Sequence, residues 1–306
     1  MPKASVINEQ AQASGAVATG GDFVETPSGK GSGDENFPVG SLLLARRLRP
    51  HVARFYVFAR AIDDIADNPD LQPDDKVERL ERMDKALLGE DDDPALAAAH
   101  ACRISLDQCG ITVQHGRDLI TAFKGDAIKL RYKDWDDLIA GYCRYSASPV
   151  GRYLLDLHGE DKSGYANSDA LCDALQVLNH LQDCKDDKSE LNRIYLPGDW
   201  VNAANVTVTD IEAAAASPGL RMVFDQCLDG VEALLVTARA LPARLRSRRL
   251  AMESAAIIRI AERLTILLRH NDPIAERVEL SKPQYIWCLF RGILDVWFGR
   301  ARRNAA

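Results

Sequence analysis

Leu43-Leu44-Ala45-Arg46-Arg47-Leu48-Arg49-Pro50-His51-Val52-Ala53-Arg54-Phe55-Tyr56-Val57-Phe58-Ala59-Arg60-Ala61-Ile62-Asp63-Asp64-Ile65-Ala66-Asp67 is the stretch on which the fold turns. Its apolar positions Leu43, Leu44, Leu48, Val52, Phe55, Ala59 and Ile62 recur at spacings of mainly three and four, the period of an amphipathic helix. The run closes on three aspartates, and Asn68-Pro69 stops it. The spacing predicts a helix over 40–67 whose last turns carry acid at the edge of an apolar face.

The same period continues along the chain. It predicts helices over 74–89, 94–109, 112–130, 134–159, 167–189, 217–240, 243–270 and 282–302, with a short one at Thr209-Asp210-Ile211-Glu212. Thr112 and the run Asn167-Ser168-Asp169 are candidate caps, and Pro197-Gly198 marks a loop. No alternating strand pattern, G-x-G-x-x-G or fixed-period repeat is visible. The expected fold is all-α, one domain of about ten helices over 34–306. Residues 1–33, rich in Ala, Gly and Ser, are expected to be a disordered leader, with order starting near Asp34-Glu35-Asn36-Phe37-Pro38.

The composition narrows the function. A net charge of -7 over 306 residues argues against nucleic acid as the partner. The seven cysteines form no C-x-x-C pair, which fits a reducing cytoplasm and argues against structural zinc or a disulfide framework. No run resembles a secretory signal or approaches the roughly 20 apolar residues of a spanning helix. The expected location is cytoplasmic, with a peripheral place at the inner membrane face left open.

A second acidic stripe lies more than a hundred residues after the first: Gln176-Val177-Leu178-Asn179-His180-Leu181-Gln182-Asp183-Cys184-Lys185-Asp186-Asp187. Positions four apart share a helix face, so Asp63 pairs with Asp67 and Asp183 with Asp187, while Asn179 and Gln176 extend the second stripe. A lone Asp-x-x-x-Asp is ordinarily a solvated face. Two copies, each set in apolar helix and each near a basic or amide group (Arg60, Asn179, Arg193), point elsewhere. Two carboxylates about 4 Å apart repel by about 4 kcal/mol at an effective dielectric of about 20; a divalent ion reverses that sign. Magnesium takes carboxylate oxygens, keeps waters and is shared with substrate phosphates, so two such faces across a cavity suit a diphosphate.

These residues resemble the squalene and phytoene synthase family. Arg60-x-x-Asp63-Asp64-x-x-Asp67 is similar to its first aspartate-rich motif. Gln176-x-x-Asn179-x-x-x-Asp183-x-x-x-Asp187, followed by Arg193-Ile194-Tyr195-Leu196-Pro197, is similar to its second. Tyr142-Cys143-Arg144-Tyr145-Ser146-Ala147-Ser148-Pro149-Val150-Gly151 resembles the segment between them. The likeness spans about residues 34–200. It implies the all-α isoprenoid (class I terpenoid) synthase bundle around a central cavity, three magnesium ions and a prenyl diphosphate substrate. It implies Asp63, Asp64, Asp67, Asn179, Asp183 and Asp187 as metal ligands or their support, Asp64 the less certain ligand. It implies Arg60 and Arg193 on the diphosphate, and Tyr56, Tyr142, Gln176 and Tyr195 around the reacting centre.

The chain departs from the family pattern in three places. Asp34-Glu35-Asn36-Phe37 replaces a Ser-x-Ser-Phe start, Gln182 stands where an arginine usually precedes the aspartate matching Asp183, and Ala147-Ser148 replaces Ala-Gly. The Asn36–Val39 start and the Asn179–Cys184 segment resemble the hydroxysqualene synthase subfamily of the squalene and hopanoid pathway. That resemblance implies ionisation of presqualene diphosphate, rearrangement of the cation and capture of water, with no nicotinamide. The alternatives are head-to-head condensation of two farnesyl diphosphates to presqualene diphosphate or squalene, and a non-catalytic helical partner of a related synthase. Transient contact with a membrane surface or pathway enzymes is the further partner expectation.

Single residues carry plainer expectations. Core packing is the favoured role for Phe58 and Tyr145, and a packed thiol for Cys143 and Cys184. His180 is expected to pack or support rather than ligate, because magnesium favours oxygen. Arg244, Arg246, Arg248 and Arg249 read as a solvated face, with acidic lipid as the rival. The stretch Tyr285–Phe290, continuing to Trp297-Phe298, reads as a core helix, with membrane contact as its rival.

Overall fold

The structure, a computed structural model, describes residues 44–304, with side chains through residue 299. The expected leader over 1–33 and the Asn36–Val39 start lie outside the described residues.

Helices build the molecule. In chain order they are α1 (Arg49–Asp67), α2 (Pro73–Leu88), α3 (Ala97–Cys109), α4 (Gln114–Ile128), α5 (Trp135–Leu138), α6 (Arg144–Ser146), α7 (Ser148–Leu157), α8 (Tyr165–Gln182), α9 (Cys184–Leu191), α10 (Gly198–Ala203), α11 (Val208–Ile211), α12 (Pro218–Ala238), α13 (Leu241–Arg244), α14 (Arg248–His270) and α15 (Lys282–Asn304). Ten of these, among the described residues, have eight residues or more.

The expected helix over 40–67 begins only at Arg49, with Pro50 in its first turn, a position where the missing N–H costs nothing. The expected helix over 134–159 is interrupted. Between α5 and α6, Ile139–Cys143 forms a π-helical turn, and Ala147 separates α6 from α7. Asn167-Ser168-Asp169 does not cap a helix start. α8 begins at Tyr165, after a 3-10 turn whose opening is capped by Asp161 accepting from Ser163 N, and Asn167 lies inside α8 with its amide donating to Thr237 O at 2.7 Å. Thr112 does act at its helix start, accepting from Gln114 N at 3.2 Å.

Two short strands, β1 (Arg131–Tyr132) and β2 (Ile194–Pro197), pair in parallel, Arg131 opposite Ile194. They were invisible as an alternating pattern: one is two residues long, and the other is buried at every position, as strands covered on both faces are.

Two apolar cores form. One joins α1 to α4 with α7, through Phe55, Phe58, Ile62, Met83 and Tyr153, where Phe55 stacks on Tyr153 at 3.9 Å. The other joins α8, α12 and α14, through Leu178, Leu181, Phe224, Leu228 and Leu264. α7 and α8 pack closely because Gly151 has no side chain: a Cβ there would lie 2.4 Å from Ser168 Oγ and 2.6 Å from Cys172 Sγ. The residues expected to carry chemistry lie on the edges of these cores. α1 belongs to the first, and α8 to the second. Among the described residues, no helix is long and apolar enough to cross a membrane.

Candidate active site

Tyr56, Arg60, Asp63, Asp64 and Asp67 follow one another on successive turns of α1. Arg60 grips two of the carboxylates, Nη1 to Asp63 Oδ2 at 2.8 Å and Nη2 to Asp64 Oδ1 at 2.9 Å. Asp67 is the last residue of the helix, at the negative end of its dipole, where a carboxylate is disfavoured. Two cations answer that charge. Arg193 pairs with Asp67 at 2.5 Å and donates from Nη2 to Ala66 O at 2.9 Å. Lys76 donates to the same carbonyl at 2.8 Å; its burial and the nearby guanidinium pull its ammonium below the usual lysine value.

The second stripe does not sit on one continuous helix. α8 ends at Gln182, Asp183 adopts a non-helical conformation, and α9 starts at Cys184. The hydrogen-bond ladder nevertheless runs through the break: Asp183 N donates to Asn179 O at 2.9 Å, and Asp187 N to Asp183 O at 2.8 Å. The four-residue spacing therefore survives. The break places Asp186 and Asp187 in the first turn of a new helix, where the dipole favours carboxylates. Burial and the Asp187 charge raise the Asp183 carboxyl above its usual value, opposed by Arg277 and His180.

Asp126, on α4, links the two stripes. Tyr142 Oη donates to its Oδ2 at 2.8 Å, Tyr195 Oη to its Oδ1 at 2.9 Å, and Arg193 Nε to its backbone oxygen at 3.1 Å. The Tyr195 ring stacks on His180 at 3.8 Å and 11°. His180 Nδ1 in turn lies 3.9 Å from Asp187 Oδ2, and its Nε2 meets the Gln176 amide at 3.2 Å. A continuous path thus runs from Asp67 through Arg193, Asp126, Tyr195 and His180 to Asp187. Burial pushes the Asp126 carboxyl up to about 6, against the lowering effect of Arg193 and of the two phenols. Burial, and then Asp126, push both phenols well above the tyrosine range, so each keeps its proton and stays a donor. At Asp63, burial and the Asp67 charge raise the carboxyl well above its ordinary value; Arg60 opposes them, and Asp126 and Asp64 add to the rise.

The local fold explains these placements. Tyr142 sits in the π-helical turn, a wider turn often found at functional sites. The strand pair holds β2 against the end of α4, Ile194 N bonding Leu130 O at 3.1 Å, and so sets Arg193 and Tyr195 beside Asp126. Asn179 and Gln176 are half-buried on α8, and Tyr56 is half-buried on α1. His180 packs against Tyr195, and Cys143 and Cys184 are buried thiols raised chiefly by burial. Phe58 is core. Tyr145 is not: it is exposed.

Asp126, Tyr132 and Lys76 escaped the sequence reading. Asp126 had a signal: Leu119, Ala122 and Asp126 fall at spacings of three and four, which puts a carboxylate on the buried face of α4. Tyr132 stacks near Tyr195 at 5.5 Å, but β1 is too short to have a pattern.

The donor set suits a hard cation. The oxygens of Asp63, Asp64, Asp67, Asn179, Asp183 and Asp187 match magnesium better than zinc, and the neighbouring carboxylates that add to the effect of burial at Asp63 and Asp183 are a repulsion a divalent ion relieves. Among the described residues, no three Asp, Glu, His or Cys side chains converge enough to hold an ion alone. Diphosphate oxygens and water would complete each shell, as magnesium sites ordinarily require.

Comparison with known proteins agrees with this geometry. Residues 31–284 match the family model described as squalene/phytoene synthase. The chain belongs to the squalene/phytoene synthase family. Among its relatives, a hydroxysqualene synthase of Rhodopseudomonas palustris is 43% identical over 270 residues, covering 87% of this chain and 90% of that protein. A hydroxysqualene synthase of Zymomonas mobilis is 41% identical over 263 residues, covering 86% and 88%. Among solved structures of the family, the squalene synthase HpnC from Alicyclobacillus acidocaldarius is similar with a TM-score of 0.66 and 34% identity, over 76% of this chain and 87% of that one. A dehydrosqualene synthase determined with a ligand shares the fold at a TM-score of 0.69 and 20% identity, over 84% and 90%. The chain is an isoprenoid synthase enzyme with the all-α fold of this family.

Proposed function

We propose that the protein converts presqualene diphosphate to hydroxysqualene with magnesium, in squalene and hopanoid biosynthesis. The observation that carries the reading is the path of contacts joining Asp67 to Asp187 through Arg193, Asp126, Tyr195 and His180, which makes the two acidic stripes parts of one polar seam. The identity of 41–43% to hydroxysqualene synthases supports this choice within the family.

In this reading Asp63, Asp67, Asn179, Asp183 and Asp187, with Asp64 beside them, hold the magnesium ions, about three of them. Bound magnesium supplies Lewis-acid stabilisation of the departing diphosphate. Arg60 adds positive charge at the leaving group. Arg193 takes part through Asp67, which it holds at the helix end. The carbon–oxygen bond breaks with its electron pair leaving on the diphosphate. The cyclopropylcarbinyl cation rearranges, water forms the new carbon–oxygen bond, and a proton passes to solvent. The ring faces of Tyr56 and Tyr142 are the cation-stabilising surfaces; the Tyr142 phenol keeps its proton and adds no anion to trap the cation, while Tyr195, stacked on His180, holds Asp126.

Gln182 supports the loss of the preceding condensation step. At the position where the family usually has arginine, its amide is buried and donates to Val278 O at 2.6 Å, so it brings no charge to a second diphosphate. The test is product analysis after incubating purified protein and magnesium with presqualene diphosphate and, separately, with farnesyl diphosphate. Hydroxysqualene from the first alone is expected. Turnover of farnesyl diphosphate to presqualene diphosphate or squalene would overturn the assignment in favour of condensation, and turnover of neither would favour a non-catalytic partner.

A further inference from the structure

The sequence reading of α15 as a core helix fails on one face. Cys288, Gly292 and Val296 are buried against α14, and Gly292 is so close that a Cβ would meet the Ala256 backbone at 2.4 Å. The opposite face carries Ile286, Trp287, Phe290, Trp297 and Phe298, each more than half exposed. Scattered surface apolar residues are normal, but five large ones gathered on one helix face, with Trp287 and Phe290 in ring contact, mark an interaction surface.

Charge decides what covers it. Residues 239–306 hold fourteen Lys and Arg against six Asp and Glu in a chain whose total is -7; Arg269 pairs with Asp229 and Glu232 of α12 and Arg277 with Asp183, which leaves a smaller positive excess beside the aromatics. The arginines interleave with the aromatics. The Arg248 guanidinium lies 4.0 Å from the Trp297 ring centroid, and that of Arg291 5.9 Å from Trp287. A groove of about 190 Å³ beside Trp287 is bordered by Arg263, Arg291 and the pair Arg259–Glu262; Arg259 is also bound to Asp295 at 2.7 Å, so Arg263 and Arg291 carry the positive charge there, and none of these residues belongs to the aspartate site. Trp and Phe at the rim of an apolar layer, with arginines reaching phosphates, is the chemistry of a helix lying in a bilayer interface. A second copy of the chain fits poorly, because a two-fold contact would set this basic face against itself.

We propose that the aromatic face of α15, with the arginines of α13, α14 and α15, docks the protein on the surface of an anionic bilayer without crossing it. This does not rest on the choice of substrate. The test is co-sedimentation of the full chain with vesicles of phosphatidylcholine alone or with phosphatidylglycerol. Binding to the anionic vesicles, weakened by salt, is expected. It should fall at least tenfold in a Trp287→Ser, Phe290→Ser, Trp297→Ser variant whose far-ultraviolet circular dichroism and urea midpoint match the parent, and also in Arg248→Glu, Arg291→Glu. No binding by the parent chain, or equal binding by the aromatic variant, would overturn the proposal. So would a parent dimer that the aromatic variant dissociates while neither binds vesicles; the face would then join two copies.

Discussion

Replacing Asp173 by asparagine is expected to stabilise the protein above pH 7 and to flatten its pH dependence. Asp173 is 7% exposed on α8. It accepts a hydrogen bond from Ser148 Oγ at 3.0 Å, the serine that replaces the family's usual glycine. Burial pushes its carboxyl up to about 7, against the lowering effect of Ser148 and of Arg152 and Arg144, with Asp169 adding to the rise. A carboxyl raised on folding favours the native state below its unfolded value, near 4, and that contribution is lost as pH climbs through the native value. Three units at about 1.4 kcal/mol each set the loss at ~4 kcal/mol at most, of which ~2–3 kcal/mol falls between pH 5 and pH 8. Asparagine keeps an oxygen for Ser148 and removes the ionisation. Urea unfolding of parent and Asp173→Asn across pH 5 to 8 should therefore diverge steadily, the variant gaining. Parallel curves would refute the reasoning, since they would mean that Asp173 is charged in the native state at no cost.

Other expectations follow from single contacts. Tyr195→Phe leaves one oxygen of buried Asp126 without its donor and should cost about 1–3 kcal/mol in urea unfolding; an unchanged midpoint would remove Asp126 as the link between the stripes. Gly151→Ala forces a methyl into Ser168 and Cys172 and should cost about 1–3 kcal/mol by overpacking, read as a lower melting temperature. Magnesium with inorganic pyrophosphate should raise the melting temperature more than either alone, by an amount equivalent to about 2.7 kcal/mol at a hundredfold excess over Kd. Simply additive shifts would argue against shared coordination.

Much of the molecule is readable from the chain because its long helices keep a strict apolar period, and because aspartates four apart must share a face if that period holds. The stripe ending α1 appears where the spacing put it. Where local hydrogen bonding changes, the pattern goes silent. The interruption at Asp183 leaves the ladder from Asn179 to Asp187 intact, so no residue type announces it. The π turn at Ile139–Cys143 has no composition of its own, yet it aims Tyr142 at Asp126. Arg193 reads as a free phosphate ligand in sequence; in the fold its donors reach Asp67, Ala66 O and Asp126 O, partners more than sixty residues away that no local pattern announces. The α15 aromatics misled for a different reason: an apolar stripe predicts a face that wants cover, and the sequence period does not say whether protein supplies it.

Whether the two stripes act on one diphosphate is decided by a double-mutant cycle in kcat/KM for presqualene diphosphate with magnesium. Asp63→Asn and Asp183→Asn should each cost about 10²–10³-fold, the scale of losing one preorganised electrostatic contact to a developing charge. If both load ions onto the same leaving group, the double variant should fall within about tenfold of the worse single, as groups that act as a unit do. Losses that multiply, taking the double variant down by about 10⁴–10⁶-fold, would mean that the stripes work independently and would contradict the shared site.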